Sequence, residues 1–198
     1  VEAADGTRWV NGRGTHRHDV ADRDDFVLSV HEPPPAWLAD AVAYQIFPDR
    51  FRQGRPELAP KEGAWLYGGR PIRKKAWHEP PGEDGAREFY GGDLFGVLEA
   101  LPYLEALGVE ALYLTPIFQS PSSHRYDTED YHRVDPHLGG EEALRALYEA
   151  LEARGMKLIL DGVFNHVGAT HPWFQKALKD PSSPERGRCS VRGWVDGR

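Results

Sequence analysis

Apolar positions along the chain switch between short unbroken runs and a helical repeat. Ala41-Val-Ala-Tyr-Gln-Ile-Phe47 is one such run, closed by Pro48, and reads as a buried strand. Leu94, Val97, Leu98, Leu101, Leu104 and Leu107 then recur at helical spacing. Asp93 is a good N-cap for that helix and Gly108 a stop, while Pro102 inside the run predicts a kink or break. Val109-Glu-Ala-Leu-Tyr-Leu114 is a second buried strand, closed by Thr115-Pro116. Glu141–Arg154 reads as an amphipathic helix with Leu144, Leu147, Tyr148 and Leu151 on one face, stopped by Gly155. Lys157-Leu-Ile-Leu-Asp-Gly-Val-Phe164 reads as the third buried strand, with Asp161 inside it. Strands without polar alternation, separated by helices, predict an α/β fold. Its parallel sheet is either covered on both faces or rolled into a barrel.

Two stretches lack either period. Residues 1–35 are polar, with Asp25-Phe-Val-Leu-Ser-Val30 as a single strand before Pro33-Pro-Pro35. A lone strand is not stable by itself, so this one reads as the tail of a preceding β domain or an arm packed on the next domain. Gln53–Gly92 is rich in Gly, Pro and Trp. A loop of that length is usually functional or disordered, and Trp65, Tyr67, Trp77, Phe89 and Tyr90 argue for order.

Composition narrows the partners. Apolar residues make up 40% and charged residues 28%, an ordinary globular balance that argues against disorder. A net charge of −7 disfavours nucleic acid. No apolar run is long enough to span a bilayer and no secretory pattern opens the chain, which argues against a membrane partner. A cytoplasmic location fits, and a processed secreted chain would look the same. Cys189 is the single cysteine, so no internal disulfide framework exists. Six Trp residues are many for this length. Aromatic planes stack on sugar rings, although core filling is the commoner use.

In a parallel barrel the chemistry sits just beyond the C-terminal ends of strands. Those positions hold Asp49 and Arg50, then Thr115 with the loop to Asp135, dense in His124-Arg-Tyr-Asp-Thr-Glu-Asp-Tyr131, His132, Asp135 and His137, then Asp161 through Asn165 and His166. A carboxylate among Leu, Ile, Val and Phe must find a partner. Each residue also has a plainer reading: Asp161 as a structural hydrogen-bonder, His166 as a loop cap, Asp127 and Glu129 as turn formers. Carboxylates with an Asn carbonyl suit calcium, and His with Asp suits zinc, though no His-x-x-x-His or Cys pair is present.

Five segments occur in order: Tyr44-Gln-Ile-Phe-Pro-Asp-Arg-Phe51, Gly91-Gly-Asp-Leu94, Leu112-Tyr-Leu-Thr-Pro-Ile117, Ser122-Ser-His-Arg-Tyr-Asp-Thr-Glu-Asp-Tyr131 and Asp161-Gly-Val-Phe-Asn-His166. Together they resemble the α-amylase superfamily of glycoside hydrolases, in its neopullulanase, cyclomaltodextrinase and maltodextrin glucosidase branch. The resemblance implies the N-terminal portion of a (β/α)8 TIM barrel, preceded by the last strand of a β-sandwich-like segment. Residues 1–35 would be the tail of that N-terminal domain, 36–168 the first three βα units, and 169–198 the start of a small domain inserted after the third strand. It implies a retaining hydrolase, capable of transglycosylation, acting on α-1,4 bonds of maltodextrins, cyclodextrins or pullulan.

Carried over by motif, His166 would hydrogen-bond the sugar at the cleavage subsite and Tyr126 would stack beneath it. His124 would line the pocket, and Asp161 would hold the charge network around the nucleophile. The reaction needs no cofactor. Asn165 matches a calcium ligand of many α-amylases, and Gly91 and Asp93 match half of the calcium site of this branch. The other half departs: Arg52, Gln53, Gly54 and Arg55 stand where Asn and Asp would be expected, which disfavours calcium.

Retention needs two carboxylates about 5–5.5 Å apart. The family's nucleophilic Asp follows the fourth strand in a Gly-x-Arg-x-Asp context, and its acid Glu follows the fifth. No Gly-x-Arg-x-Asp occurs here. The expectation is therefore an N-terminal fragment, inactive without the remainder of the barrel. Its partners would be α-glucan oligosaccharides and that remainder, and a homodimer is one arrangement the resemblance allows. The alternative is a non-catalytic sugar-binding or partner-binding relative of the same barrel.

Overall fold

The computed structural model describes residues 2–3, 6–11, 13–18 and 35–188. The chain forms two compact units, Val1–Asp40 and Ala41–Arg198. In the first, β1 (Glu2–Ala3) pairs antiparallel with β2 (Gly6–Thr7), and β3 (Trp9–Asn11) with β4 (Gly14–His16). These hairpins were not expected, because strands of two or three residues are too short for their alternation to register. The second hairpin is held locally: the buried Asn11 side chain accepts from the Arg13 N–H at 3.0 Å. The strand expected at Asp25–Val30 lies outside the described residues.

The second unit begins with β5 (Ala43–Ile46). The long Trp-rich connection then folds into β6 (Leu66–Tyr67), β7 (Arg70–Pro71), β8 (Arg73–Lys74) and β9 (Glu88–Phe89). β6 and β7 form a hairpin, and β8 runs parallel to β9. Trp65 anchors this segment by donating its indole N–H to the Pro121 carbonyl at 2.8 Å.

Regular structure follows: α1 (Leu94–Ala106), β10 (Ala111–Leu114), β11 (Phe118–Gln119), β12 (Asp130–Val134), α2 (Gly140–Glu152), β13 (Lys157–Leu160) and α3 (Pro172–Lys179). β5, β10 and β13 form one parallel sheet with β10 central. Successive strands are therefore spatial neighbours, the order that a barrel requires.

The core lies on one face of this sheet. Ile46, Leu112 and Leu114 pack with Val97, Leu101 and Leu104 of α1 and Leu147 and Leu151 of α2. Each fully buried Leu contributes about 1.5–3 kcal/mol. The opposite face carries Gln45, Tyr113 and Ile159 in register. Gly108 and Gly155 end the two helices at φ +84° and +70°, a left-handed turn that costs glycine nothing.

Three expectations are corrected. The break expected at Pro102 does not occur: α1 continues through it, and Pro102 faces solvent while its neighbours Leu101 and Leu104 are fully buried. Packing of that stripe outweighs one missing backbone hydrogen bond. The third strand stops at Leu160, so Asp161 lies just past its end and Phe164 is 89% exposed. Tyr148, placed on the apolar face of α2 by spacing, is exposed.

Candidate functional site

The turn joining β11 to β12 sets the site. Arg125 holds φ at +61°, in the left-handed region, and buries its guanidinium completely. There Nε meets Asp135 Oδ2 at 2.7 Å and Nη1 donates to the Ser123 carbonyl at 2.8 Å. Asp127 ties the same turn by accepting from Ser120 Oγ at 2.7 Å and from Ser122 Oγ. With Arg125 turned inward, its neighbours His124 and Tyr126 remain partly exposed.

Tyr126 then reaches across to the end of β13. Its hydroxyl donates to Asp161 Oδ2 at 3.0 Å, and Tyr113 of β10 donates to the same oxygen at 2.8 Å. Two phenols thus converge on one carboxylate oxygen, an arrangement that favours the protonated phenols. Tyr113 is held above its usual pKa chiefly by the Asp161 hydrogen bond, and Tyr126 by burial and then by that bond. His166 joins the group by donating from Nε2 to the Tyr126 carbonyl at 2.9 Å. That bond leaves Nδ1 of the exposed ring open to a second partner. Tyr131 steadies the loop: its hydroxyl lies within hydrogen-bond reach of the Val163 and His166 carbonyls.

His124 has the opposite tautomer logic from its own backbone. Its Nδ1 accepts from the Tyr126 N–H at 3.0 Å. Burial pushes its pKa down, opposed by nearby Asp127 and reinforced by Arg125, so the ring is neutral. His124 and Tyr126 line a cavity of about 220 Å³ with Gln45, Phe47 and Thr115. It opens at the C-terminal ends of β5 and β10. Thr115 Oγ1 is buried there with no hydrogen-bond partner among the described residues.

The fold thus gathers His124, Tyr126, Asp161 and His166, four residues that lie up to 42 positions apart. Tyr113 and Gln45 were missed as site residues, whereas Thr115 and Arg125 lay in the strand-end segment that the sequence marked, without a role of their own. For Gln45 and Tyr113 the available signal was strand parity: each shares a face with the residues around the mouth, not with the core leucines. Asn165 lines a second cavity, of about 590 Å³, with Phe164, Trp173 and Phe174, and the His166 ring borders that cavity rather than the first.

Gly91 and Asp93 belong to a separate junction. Asp93 is the N-cap of α1, accepting from Gly96 N–H on Oδ1 at 2.7 Å, and its Oδ2 accepts from Gly54 and Arg55 N–H at 3.0 and 2.8 Å. Asp49 is buried and accepts from Tyr90 and Gly91 N–H at 3.0 and 3.1 Å. Burial raises its pKa, against the pull of Arg125 and those two bonds. Calcium takes six to eight oxygen ligands. Here the carboxylates are occupied by N–H donors, and among the described residues no group of three or more His, Cys, Asp or Glu could hold a metal. This donor set does not fit the calcium ion that the family resemblance implies.

Residues 45–190 match the family model described as alpha amylase, catalytic domain. Among curated relatives, the intracellular maltogenic amylase of Bacillus subtilis is 45% identical over 146 residues, covering 74% of this chain and 23% of that protein. Neopullulanase 2 of Thermoactinomyces vulgaris is 48% identical over 146 residues, covering 73% and 23%. The chain therefore spans less than a quarter of these relatives' length. Among solved structures, the cyclic alpha-maltosyl-(1→6)-maltose hydrolase of Arthrobacter globiformis superposes with a TM-score of 0.70 at 40% identity, over 81% of this chain and 33% of that one. The type III pullulan hydrolase of Thermococcus kodakarensis does so with a TM-score of 0.70 at 36% identity, over 80% and 29%.

Proposed function

The chain belongs to the alpha-amylase family, and on that premise we propose that it supplies the sugar-holding part of a retaining α-glucan hydrolase. Its substrates are α-1,4-linked maltodextrins, cyclodextrins or pullulan. The observation that carries this reading is the hydrogen-bonded group Tyr113–Asp161–Tyr126–His166, whose Tyr126 lines the cavity at the strand ends. Pinned through its hydroxyl, the Tyr126 ring keeps one orientation and offers a face for the apolar side of a sugar. His166 Nδ1, on an exposed ring, is open to a sugar hydroxyl. The Asp161 carboxyl group, held by its two phenols, faces the side from which an oxocarbenium-like transition state would need stabilising charge.

In this reading residues 36–168 form the first three βα units, 169–198 begin the inserted small domain, and 1–35 close a preceding β domain. The nucleophilic Asp and the acid Glu come from sequence outside these 198 residues. The short share of each relative that the chain spans supports that division.

Cleavage of maltotriose and cyclodextrin, with intact mass measured on the same sample, tests it. The 198-residue chain by itself should release no glucose, whereas a chain extended by a Gly-x-Arg-x-Asp strand and a Glu strand should. Turnover by a verified 198-residue monomer would overturn the division of labour. In the active protein, His166→Ala should lower kcat/KM by roughly tenfold or more, in line with a lost hydrogen bond to a transition state. Unchanged kinetics would remove His166 from the site. An extended chain that binds maltotriose without cleaving it would favour a sugar-binding relative.

A further inference from the structure

The Tyr90–Asp93 turn is held through both its N–H and its carbonyl groups. The Asp49 carboxylate accepts the N–H groups of Tyr90 and Gly91. Lys74 Nζ donates to the Tyr90 carbonyl at 3.0 Å, and Gln53 Nε2 donates to the Gly91 carbonyl at 3.0 Å. Gly91 leaves room for both. A Cβ there would stand 2.3 Å from Lys74 Nζ and 3.0 Å from Gln53 Nε2, at a φ of +79° that favours glycine anyway. The ammonium therefore rests directly on the turn. It comes from β8, a strand whose pairing with β9 delivers it to this spot. Burial pulls the Lys74 pKa down while Asp49 pushes it up, as expected for a cation held close to an anion.

A calcium ion at this junction would need the same carbonyl oxygens and open carboxylates. Here the carbonyls are taken by an ammonium and an amide, and the carboxylates by backbone N–H groups. We propose that the Lys74 ammonium is the built-in cation of this junction, filling the role that the family resemblance assigns to calcium. The junction joins the end of β5 to the start of α1, so its integrity is then independent of divalent metal. The argument rests on this junction alone, not on the sugar pocket.

The test is thermal unfolding of the intact protein with millimolar calcium or with EDTA, together with calcium titration by calorimetry. Wild type should melt at the same temperature in both and show no saturable calcium binding. Lys74→Met keeps the side-chain length and removes the charge, and should lower Tm by roughly 2–4 °C in both conditions. A calcium-raised Tm or stoichiometric calcium binding by wild type would overturn the proposal. So would a Lys74→Met protein that melts with wild type. Should that variant not fold, the wild-type calcium titration decides by itself.

Discussion

Arg125 holds a left-handed φ that side chains rarely adopt, and its guanidinium is fully buried against Asp135. The strain is offset by what the turn achieves: one residue points inward so that His124 and Tyr126 border the cavity. Arg125→Ala strands the buried Asp135 carboxylate, and should cost about 3–5 kcal/mol. Chemical denaturation measures this; a loss below about 1 kcal/mol would show that the pair is not structural. His124 yields a pH prediction. Its folded pKa lies below the ordinary 6.5 because burial disfavours the imidazolium. The unfolded chain then binds more protons in the interval, so stability from neutral His124 is full above 6.5 and is lost as pH falls through the folded value. Titrating the ring Cε1 proton by NMR should place it below 6.5, and His124→Gln should flatten the acid side of the stability curve. A ring titrating at or above 6.5 would contradict the burial argument.

At the level of elements, α1 makes two substitutions informative because propensity and context disagree in one and agree in the other. Gly96→Ala should help a helix by about 1 kcal/mol on propensity alone. The added Cβ would stand 2.1 Å from the Arg52 carbonyl oxygen, a backbone atom of the junction. The substitution should therefore destabilise, and a raised Tm would show that the Arg52 loop yields. Pro102→Ala restores an N–H to an exposed helix position with no core contact to lose. It should stabilise by roughly 1–2 kcal/mol, less than the full proline penalty because Pro also stiffens the unfolded chain. Denaturant midpoints of the two variants should move in opposite directions. Asp93, Gly108 and the leucine stripe made this helix legible in sequence. The persistence through Pro102 was not, because it depends on how firmly the stripe is gripped by β10 and α2.

For the whole molecule, the exposed apolar surface is the feature to explain. Among the described residues the parallel sheet has three strands, and its outer strands β5 and β13 each pair on one side only. Leu160 at 39% and Phe164 at 89% exposure lie at the β13 end, where soluble parallel sheets are normally covered. The 198-residue chain by itself should bind a hydrophobic-surface dye and self-associate in light scattering, and Phe164→Ser should reduce both. A dye-silent monomer with a sharp melting transition would sink this reading.

Local pattern determined the elements. Unbroken apolar runs, the Asp93 cap and the glycines at 108 and 155 act within a few residues, so they can be read without a partner. Family membership was equally legible, because five short segments keep their residues and their order. Tertiary structure alone decided the site's wiring. Which carboxylate oxygen receives two phenols, which way Arg125 turns, and which cation meets the Tyr90 carbonyl all depend on segments brought together across long stretches of chain. Periodicity carries no information about those distances. Lys74 is the clearest case: in sequence it is a lysine in an irregular loop, and only the β8–β9 pairing puts its charge where it can hold a turn.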